Sequence, residues 1–596
     1  MENKVNLKKV SDVVAEVLIE EEVSHVFVIS GGASLHLIHS LADNENIQYI
    51  CNHNEQASAM AADGYSRVSG NIGVAIATSG PGATNLITGI CCSYYDSVPT
   101  LFITGQVSTS RMKGDTGVRQ VGFQETPIVD VVKSITKYAY TIKHPSEIKY
   151  QIQKALHIAR SGRPGPVLID IPDDLQRANI ESSLLKNFQP DIEQEKGKLT
   201  DTILNVMSMI KKSKRPVIIA GWGVHLSKTQ SDFIKFAEDL NLPIALTWGA
   251  ADLISFDHEL YIGTFGTHGN RHANFAVQNA DLIISLGSRL DTKSTGSPVN
   301  TFAREAKKIM VEIDINELNK FKKFDLKFDK LIHCDLKDFF DEVQKINIQK
   351  FFNKRDDWIN QINQWQEAFN AFDDRKSLST TQVNPYNFID RISDNLKENS
   401  KVIIDTGCSI AWFMQSMKIP ETVRVYHDCN NTAMGWALPA SIGGYYADLG
   451  KSPIITIVGD GGFMMTSYEL ATAMHNNIPL KIFIMNNQGY SMIQQTQDQW
   501  LDSNYYASSK QGGMSFPDFQ KLSKAYNFKY FELKDDSDLH LVEEIIAYPK
   551  ALICNVFIDS DFRVTPQVKF GRPNEDMGPL LPREMFNENM IIDPNN

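Results

Sequence analysis

The chain has 596 residues, of which 42% are hydrophobic and 22% charged, as in ordinary globular proteins. One hydrophobic core cannot organise a chain of this length, so about three domains are expected. The 59 basic and 71 acidic residues give a net charge of −12 without long runs of one sign, which argues against nucleic acid or an anionic membrane surface as a partner.

Targeting signals are also lacking in the sequence. No apolar stretch reaches the roughly 20 residues of a membrane span, and the N-terminus lacks the apolar core of a secretory signal. The seven cysteines form no Cys-x-x-Cys pair. We therefore expect a reduced, cytoplasmic protein without a membrane partner.

Short apolar runs alternate with helical patterns along the whole chain, which predicts an α/β protein with three doubly wound domains and mainly parallel sheets. The predicted units are an N-terminal domain over 1–180, a polar linker over 181–198, a central domain over 199–345, a charged helical bridge over 350–381, a C-terminal domain over 382–565 and a tail over 566–596. Predicted strands include residues 26–29, 47–50, 74–77, 100–104, 167–171, 216–220, 243–246, 282–286, 308–313, 454–458 and 482–485. The first and third domains are similar in size and strand rhythm, as duplicated domains would be.

The most informative motif is Gly459-Asp460-Gly461-Gly462, which ends one apolar strand, together with Asn486-Asn487, which ends the next. The carboxyl ends of neighbouring parallel strands share one edge of a sheet, so a carboxylate and an amide are expected to lie side by side. These oxygens, completed by a backbone carbonyl, suit Mg²⁺ that holds a diphosphate. Gly-Asp-Gly alone is common in surface turns, but the strand before it and the paired asparagines favour a ligand site.

A second motif occupies residues 53–67 and begins His53-Asn54-Glu55 just after the predicted strand 47–50. An isolated glutamate at a helix start is usually an ordinary first-turn residue, favoured by the helix dipole. From this segment alone, the first-turn role is the favoured interpretation of Glu55.

The two motifs together resemble the thiamine-diphosphate signature, and the chain resembles the acetohydroxyacid (acetolactate) synthase-like branch of that superfamily almost end to end. Further matching segments are Ser-Gly-Gly-Ala at 30–33, Thr-Ser-Gly-Pro-Gly at 78–82, Gly-Phe-Gln-Glu-Thr-Pro at 122–127, Gly-Arg-Pro-Gly-Pro at 162–166 and Ala-Met-Gly at 433–435.

This resemblance implies a set of roles for individual residues. Glu55 would activate thiamine diphosphate through its aminopyrimidine ring, and Met434 would enforce the bent shape of the cofactor. Asp460, Asn487 and the Gly489 carbonyl would bind Mg²⁺. The reaction pocket would include Gly32, Phe123 and Gln124, and further cofactor contacts would come from Ser79, Gly80, Gly459, Gly461 and Gly462. The family places its active site between two subunits, so a homodimer or homotetramer is implied.

The central domain resembles the FAD-binding domain of these synthases. The matching positions are Gly221, Gly223, Gly266, His268, Gly269, Gly287, Arg289 and Asp314. Glycines at strand ends let a diphosphate approach the backbone, and an arginine can pair with it. FAD with a structural role is therefore expected, although relatives use this domain for ADP or for nothing.

The sequence departs from the synthases at the acceptor side. Lys293 stands where they carry an arginine, and Thr496 where they carry a tryptophan, so Lys293, Gln494 and Thr496 are predicted to form the acceptor pocket. Lysine keeps the charge but loses the planar fork of arginine. The segments 488–497 and 574–583 look like those of homologues in nucleotide-sugar pathways, such as the CDP-yersiniose carboligase.

The leading hypothesis from the sequence is therefore a carboligase that decarboxylates pyruvate and transfers the two-carbon unit to a ketone acceptor, with a 4-keto nucleotide sugar as the expected acceptor. The first alternative is an acetolactate synthase, which joins pyruvate to a 2-oxo acid. Further alternatives are a pyruvate oxidase or decarboxylase, and a relative that keeps the fold only for binding.

Overall fold

The computed structural model describes residues 7–190 and 199–594. They form three units, each built around a six-stranded parallel sheet with helices packed on both faces. The predicted α/β class with three mainly parallel sheets is confirmed. Part of the predicted linker, 191–198, and the chain ends at 1–6 and 595–596 lie outside the described residues.

The first unit begins with a short strand that pairs antiparallel with the last strand of the same unit. Its sheet has the order β3-β2-β4-β5-β7-β6. The elements are β1 (Leu7–Lys9), α1 (Val10–Glu20), β2 (His25–Val28), α2 (Leu35–Ala42), β3 (Gln48–Cys51), α3 (Glu55–Ser69), β4 (Gly73–Ala77), α4 (Pro81–Asn85), α5 (Ile87–Tyr95), β5 (Thr100–Gln106), α6 (Ile128–Val132), β6 (Tyr138–Thr141), α7 (Ile148–Arg160), β7 (Val167–Pro172), α8 (Asp173–Gln176) and β8 (Asn179–Glu181).

The second unit has the strand order β11-β10-β9-β12-β13-β14, which is the 3-2-1-4-5-6 order of nucleotide-binding sheets. Its elements are α9 (Thr200–Lys212), β9 (Pro216–Ala220), α10 (Gly223–Leu226), α11 (Gln230–Leu240), β10 (Ile244–Leu246), β11 (Tyr261–Thr264), α12 (Arg271–Gln278), β12 (Leu282–Leu286), α13 (Thr292–Thr295), β13 (Lys307–Glu312), α14 (Ile315–Asn319), β14 (Lys330–His333), α15 (Leu336–Val343) and α16 (Asp356–Phe372). Helix α16 packs on this unit, since the Trp358 indole donates to the carbonyl of Pro216 at 3.0 Å.

The third unit has the order β16-β15-β17-β18-β20-β19, which repeats the connectivity of the first sheet. Its elements are α17 (Pro385–Asp394), β15 (Lys401–Ile404), α18 (Cys408–Ser416), β16 (Arg424–His427), α19 (Ala437–Asp448), β17 (Ile454–Gly459), α20 (Asp460–Thr466), α21 (Leu470–His475), β18 (Lys481–Asn486), α22 (Ser491–Trp500), α23 (Phe519–Ala525), β19 (Lys529–Leu533), α24 (Val542–Ala547) and β20 (Leu552–Phe557).

The segment after β20 packs on the second unit. It contains β21 (Gln567–Val568), β22 (Met577–Gly578) and α25 (Arg583–Asn589). The buried Glu575 carboxylate accepts from Gln278 Nε2 at 2.5 Å and pairs with Arg304 at 2.7 Å. The Phe586 ring lies against Phe275 in the core of the second unit. Residues 566–594 are therefore part of the packed structure.

The first and third units meet through two small-residue helices, α3 and α19. A Cβ added at Gly443 would lie 1.9 Å from the Ala61 carbonyl, and one added at Gly64 would lie 2.5 Å from the Ala440 backbone. Glycine at these crossing points lets the two backbones touch, so α3, which begins at Glu55, is fixed against the unit that contains Asp460.

No helix within the described ranges is long and apolar enough to cross a membrane.

Candidate active site

The Gly-Asp-Gly-Gly motif lies where strand β17 ends and helix α20 begins. Gly459 is the last residue of the strand, and Asp460 is the first residue of the helix, so the motif forms a strand-to-helix turn. A Cβ added at Gly461 would lie 2.1 Å from the Tyr490 ring. This glycine therefore allows the loop after β18 to approach the start of α20 and brings Asn487 near Asp460.

Asp460 and Asn487 provide a set of oxygen ligands at this edge. The Asp460 carboxylate is buried and accepts the N–H of Gly461 at 2.6 Å and of Gly489 at 3.3 Å. Burial raises the pKa of Asp460 to about 7, although those backbone donors oppose the shift. Asn487 Nδ2 donates to Ser491 Oγ at 2.6 Å, and its Oδ1 is buried without a hydrogen-bond partner among the described residues.

A buried amide oxygen without a donor, next to a buried carboxylate, fits a hard cation that carries a diphosphate. The described part of the chain contains no cluster of three or more His, Cys, Asp and Glu side chains suited to a metal. A cation here would therefore rely on one carboxylate, one amide and the Gly489 carbonyl, with the remaining positions filled by the diphosphate or water. The donor set fits Mg²⁺ on these grounds.

These residues line a cavity at the carboxyl edge of the third sheet. Its walls include the predicted residues Met434, Gly459, Asp460, Gly461, Gly462, Asn487 and Gly489. The cavity lies beside the gap between β15 and β17, where the strand order reverses and where ligands bind in open α/β sheets.

The sequence reasoning missed Asp405, which follows β15 and also lines the cavity. It is buried and accepts the N–H groups of Gly435 at 3.1 Å and Ala437 at 3.0 Å. Asp405 thereby holds the loop that contains Met434, and burial raises its pKa to about 6. The run Val402-Ile403-Ile404 followed by Asp-Thr-Gly was the available signal, since it repeats the pattern of a buried strand that ends in a carboxylate and a glycine.

The predicted residues of the first unit form a separate group. Glu55 is the first residue of α3, is buried, and accepts a hydrogen bond from Asn85 Nδ2 at 2.9 Å. Gly32 has open space around the position of a Cβ. A Cβ at Gly80 would lie 2.9 Å from the Gln124 carbonyl, which places the 78–82 loop against the segment that contains Phe123.

Phe123 is 86% exposed, an unusual state for a large apolar ring. Glu55, Gly32, Ser79, Gly80, Phe123 and Gln124 are not among the residues that line the third-sheet cavity. The predicted site residues therefore form two groups, a Glu55 half-site in the first unit and an Asp460 half-site in the third.

A second cavity lies at the carboxyl ends of β9 and β12, where the strand order of the second sheet reverses. A Cβ at Gly221 would lie 2.3 Å from the Gly287 carbonyl, and one at Gly223 would lie 2.7 Å from Gly287 Cα. These glycines let two strand-end loops meet in the position where doubly wound sheets bind nucleotides. Arg289 also lines the cavity, and its Nε donates to Glu317 Oε1 at 2.8 Å. The cradle fits a nucleotide diphosphate.

Three of the residues predicted for FAD do not line this second cavity. A Cβ at Gly266 would lie 2.4 Å from the Lys293 carbonyl, and one at Gly269 would lie 2.5 Å from the Phe265 backbone, so both glycines serve close packing. Asp314 caps α14 and pairs with Arg163 of the first unit at 3.0 Å. His268 does line the cavity.

Only one of the three predicted acceptor residues lines a cavity. Lys293 lines both cavities, and its ammonium lies 5.4 Å from the centre of the Trp248 ring. Burial lowers the pKa of Lys293. Gln494 and Thr496 line neither cavity, and their place in an acceptor pocket stays a prediction. Gln494 Nε2 donates to the Ser508 carbonyl at 2.6 Å, and the Thr496 hydroxyl donates to the Met492 carbonyl of its own helix.

Comparison with known proteins identifies the family. Residues 8–133 match the N-terminal TPP binding domain of thiamine pyrophosphate enzymes, residues 203–342 their central domain, and residues 405–556 their C-terminal TPP binding domain. The chain belongs to the thiamine pyrophosphate enzyme family. These matches include Glu55 and Asp460, and also Gly221, Gly287 and Arg289 of the second cavity.

Several relatives are similar over nearly the whole chain. The acetolactate synthase large subunit of Lactococcus lactis is 32% identical over 570 residues, which cover 95% of each protein. The probable acetolactate synthase large subunit of Methanocaldococcus jannaschii is 32% identical and covers 92% of each. Acetolactate synthase 1 of Nicotiana tabacum is 31% identical over 96% of this chain and 85% of its own length. This family and these relatives show an enzyme of the transferase type that forms carbon–carbon bonds.

Proposed function

We propose that the enzyme takes a two-carbon unit from pyruvate and joins it to a second 2-oxo acid, the reaction of an acetolactate synthase. Support comes from relatives of that name that are similar along almost the whole chain. They favour this alternative over the nucleotide-sugar carboligase that led the sequence-based hypotheses. The single structural observation that carries the proposal is that Lys293 lines the same cavity as Asp460, where its ammonium can pair with an acceptor carboxylate.

Asp460, Asn487 and Gly489 would hold Mg²⁺ and, through it, the diphosphate of thiamine diphosphate. When bound, that cofactor supplies the electron sink for decarboxylation of a 2-oxo acid. Asp405 positions the Met434 loop through backbone N–H groups, so Met434 is held at the cavity wall. The buried Trp412 and the half-exposed Ile493 add apolar surface to the same wall.

Glu55 would hold the proton that the aminopyrimidine exchanges. Asn85 donates to Glu55 Oε2, so that oxygen is engaged while Oε1 stays within reach of a ligand near Gly82. A carboxyl group in a buried, hydrogen-bonded position of this kind is suited to general acid–base work.

Because Glu55 and Asp460 belong to separate half-sites, we propose a homodimer, or a tetramer of such dimers, in which Glu55 of one subunit completes the cavity of the other. The exposed Phe123 beside the Glu55 half-site supports a protein surface that is covered on assembly. FAD, with a structural role, is the occupant we propose for the second cavity. The cytoplasmic location predicted from the sequence stays a prediction.

A ketone of a nucleotide sugar is the second candidate acceptor. Its support is the sequence difference from the synthases, which carry an arginine at the position of Lys293 and a tryptophan at that of Thr496, although Thr496 lines neither cavity. Lys293 also lines the second cavity, so an acceptor that carries a diphosphate would meet the same lysine ammonium.

The test supplies the enzyme with thiamine diphosphate, Mg²⁺ and FAD, and gives it pyruvate alone, pyruvate with 2-oxobutanoate, or pyruvate with a nucleotide 4-keto sugar. Mass spectrometry of the products is the readout. Acetolactate and its ethyl homologue support the proposal, whereas a sugar heavier by an acetyl unit, with the 2-oxo acids unused, refutes it in favour of the second candidate.

A matched pair of variants tests the role of the cation. Lys293→Met should raise the KM for the acceptor about tenfold or more, since a charge-assisted contact contributes roughly 1.5–3 kcal/mol. Lys293→Arg keeps the charge and should retain most of the acceptor affinity. Equal KM values in the wild type and Lys293→Met would remove Lys293 from the acceptor site.

A further inference from the structure

Two amide side chains connect helix α22, whose first residues line the third-sheet cavity, to His268 in the second cavity. Helix α22 begins at Ser491, just after Gly489, and its Gln495 side chain reaches the segment that follows β20. Gln495 Nε2 donates to Gln567 Oε1 at 2.5 Å, and Gln567 Nε2 lies 3.0 Å from His268 Nε2. Gln495 and His268 thus meet through a single glutamine.

The orientation of each amide follows from a backbone group. The N–H of Val564 points at the Gln495 side chain at 3.0 Å, so the Gln495 atom it meets must be the oxygen. The opposite atom of Gln495 is then the NH₂, which also donates to the Val564 carbonyl at 2.7 Å. Gln567 must accept that NH₂ with its oxygen, and Gln499 Nε2 donates to the same oxygen at 3.2 Å.

The NH₂ of Gln567 therefore faces the imidazole and donates to His268 Nε2. A neutral imidazole that accepts at Nε2 carries its hydrogen on Nδ1. His268 is only 7% exposed, and Nδ1 is buried without a hydrogen-bond partner among the described residues. Burial, with a smaller effect of Lys293, lowers the pKa of His268 to about 3, which keeps the ring neutral at physiological pH.

The loop that contains His268 is fixed from both sides. The N–H of Thr267 donates to the Lys293 carbonyl at 2.8 Å, and the N–H of Val568 donates to the Thr267 carbonyl at 2.9 Å. The ring lines the second cavity close to Trp248 and Lys293, two residues that line both cavities. His268 therefore lies at the end of the second cavity that adjoins the third-sheet cavity.

We propose that Gln495 and Gln567 lock His268 in the Nδ1–H tautomer, so that His268 donates a hydrogen bond to an acceptor atom on the ring system of the ligand in the second cavity. The acceptor is a carbonyl oxygen or an unprotonated ring nitrogen, as a flavin presents. The ligand part of this inference rests on the proposed FAD. Gln495 and Gln567 are positioning residues in this arrangement, and they couple the helix beside the metal site to the second cavity.

The tautomer is tested without any cofactor. Protein labelled with ¹⁵N-histidine is studied by long-range ¹H–¹⁵N correlation, and the His268 signals are assigned by their loss in His268→Ala. We expect a protonated Nδ1 and an unprotonated Nε2 across neutral pH. Gln567→Met should abolish this preference, because the donor to Nε2 is lost. A protonated Nε2 in the wild type would overturn the proposal.

The ligand contact is tested with two variants of His268, each of which has a side-chain amide at the position of one of the two ring nitrogens. The amide of Asn occupies the position of Nδ1, and the longer amide of Gln reaches that of Nε2. His268→Asn should keep the dissociation constant of FAD, followed by flavin absorbance and fluorescence, within about threefold. His268→Gln should raise it about tenfold, the loss of one buried hydrogen bond.

ADP is the control ligand, because it shares the adenosine diphosphate part of FAD and lacks the flavin. His268→Gln should leave ADP affinity unchanged. Equal losses of FAD and ADP affinity, or equal effects of the Asn and Gln variants, would overturn the ligand contact. A wild-type protein that binds no FAD would instead refute the proposed cofactor and the ligand part of this inference, and the NMR experiment would still decide the tautomer.

Discussion

The first and third sheets have the same strand order and differ in the residues at the ends of their strands. In both, the six strands run 2-1-3-4-6-5 in chain order, so the strand order reverses between the first and third strands of each sheet. At that point the third sheet presents Asp405 and Asp460. The first sheet presents glycine-rich loops, and a Cβ at Gly31 would lie 2.5 Å from the Thr78 side chain.

The difference shows how one fold supports two binding tasks. A buried carboxylate with an amide oxygen beside it suits a cation, whereas a cramped glycine loop suits close approach of a flat, neutral group. The chemistry depends on the residues at the strand ends rather than on the sheet, which is why two sheets of equal topology can support the two different roles that we propose for them.

The largest effect is expected from Asp460→Asn, which removes the only carboxylate of the predicted metal set. Activity should fall by about 10³-fold or more, because metal-assisted charge stabilisation amounts to several kcal/mol. Mg²⁺-dependent binding of thiamine diphosphate, followed by calorimetry, should weaken in parallel. Asp518→Asn, at an exposed helix cap of the same unit, is the control. Unchanged cofactor binding in Asp460→Asn would remove the metal site from this edge of the third sheet.

Glu55→Gln probes the first sheet and should lower activity by about 10²–10⁴-fold, the usual contribution of a general acid–base group. Cofactor affinity should change little, in contrast to Asp460→Asn. Loss of cofactor binding would instead indicate that Glu55 supports the fold of its half-site.

Mixing the Glu55→Gln and Asp460→Asn proteins then tests whether the half-sites meet between subunits. If subunits exchange freely, half of the dimers are mixed and each has one intact site, so about a quarter of wild-type activity should return. Absence of recovery in a sample shown to exchange subunits would place both residues in one site of a single chain.

Sequence patterns predicted the sheets well because each depends on local apolar runs. Strands β9 and β12 begin and end where they were predicted. The pairing of Gln567 with His268 joins residues 299 positions apart and has no local signal. The sequence could not show which side of α22 faces the cavity, because packing sets the rotation of the helix about its axis and turns Ile493 toward the cavity and Gln494 toward Ser508.

The contact between helix α3 of the first unit and helix α19 of the third unit should be sensitive to a single added methyl group. Gly443→Ala places a Cβ 1.9 Å from a backbone carbonyl of α3 that cannot rotate away. Overpacking of this kind costs about 1–3 kcal/mol, so the melting temperature should fall by several degrees. Gly32→Ala, which meets nothing within 4 Å, should leave the melting temperature unchanged. A stable Gly443→Ala protein would show that α3 and α19 can separate without cost.

The smallest effect concerns a buried carboxyl group that is present in β7, the last strand along the chain in the first sheet, and absent from β20, the last strand in the third sheet. Asp170 is the fourth residue of β7, and the fourth residue of β20 is Asn555. Asp170 accepts from the Thr104 hydroxyl at 2.7 Å and from Gln106 Nε2 at 3.1 Å, yet burial raises its pKa to about 7. Its folded pKa exceeds the unfolded value near 3.8, so the folded state holds the proton more tightly.

The stability from Asp170 is therefore complete below pH 4 and is lost as the pH rises through 7. Melting temperatures recorded from pH 5 to pH 8 should decline more steeply in the wild type than in Asp170→Asn, which cannot ionise. The neutral asparagine of the third sheet makes this comparison direct, since the equivalent position there has no charge to bury. Parallel pH profiles of the two proteins would mean that Asp170 ionises near its ordinary pKa, with its hydrogen bonds compensating for burial.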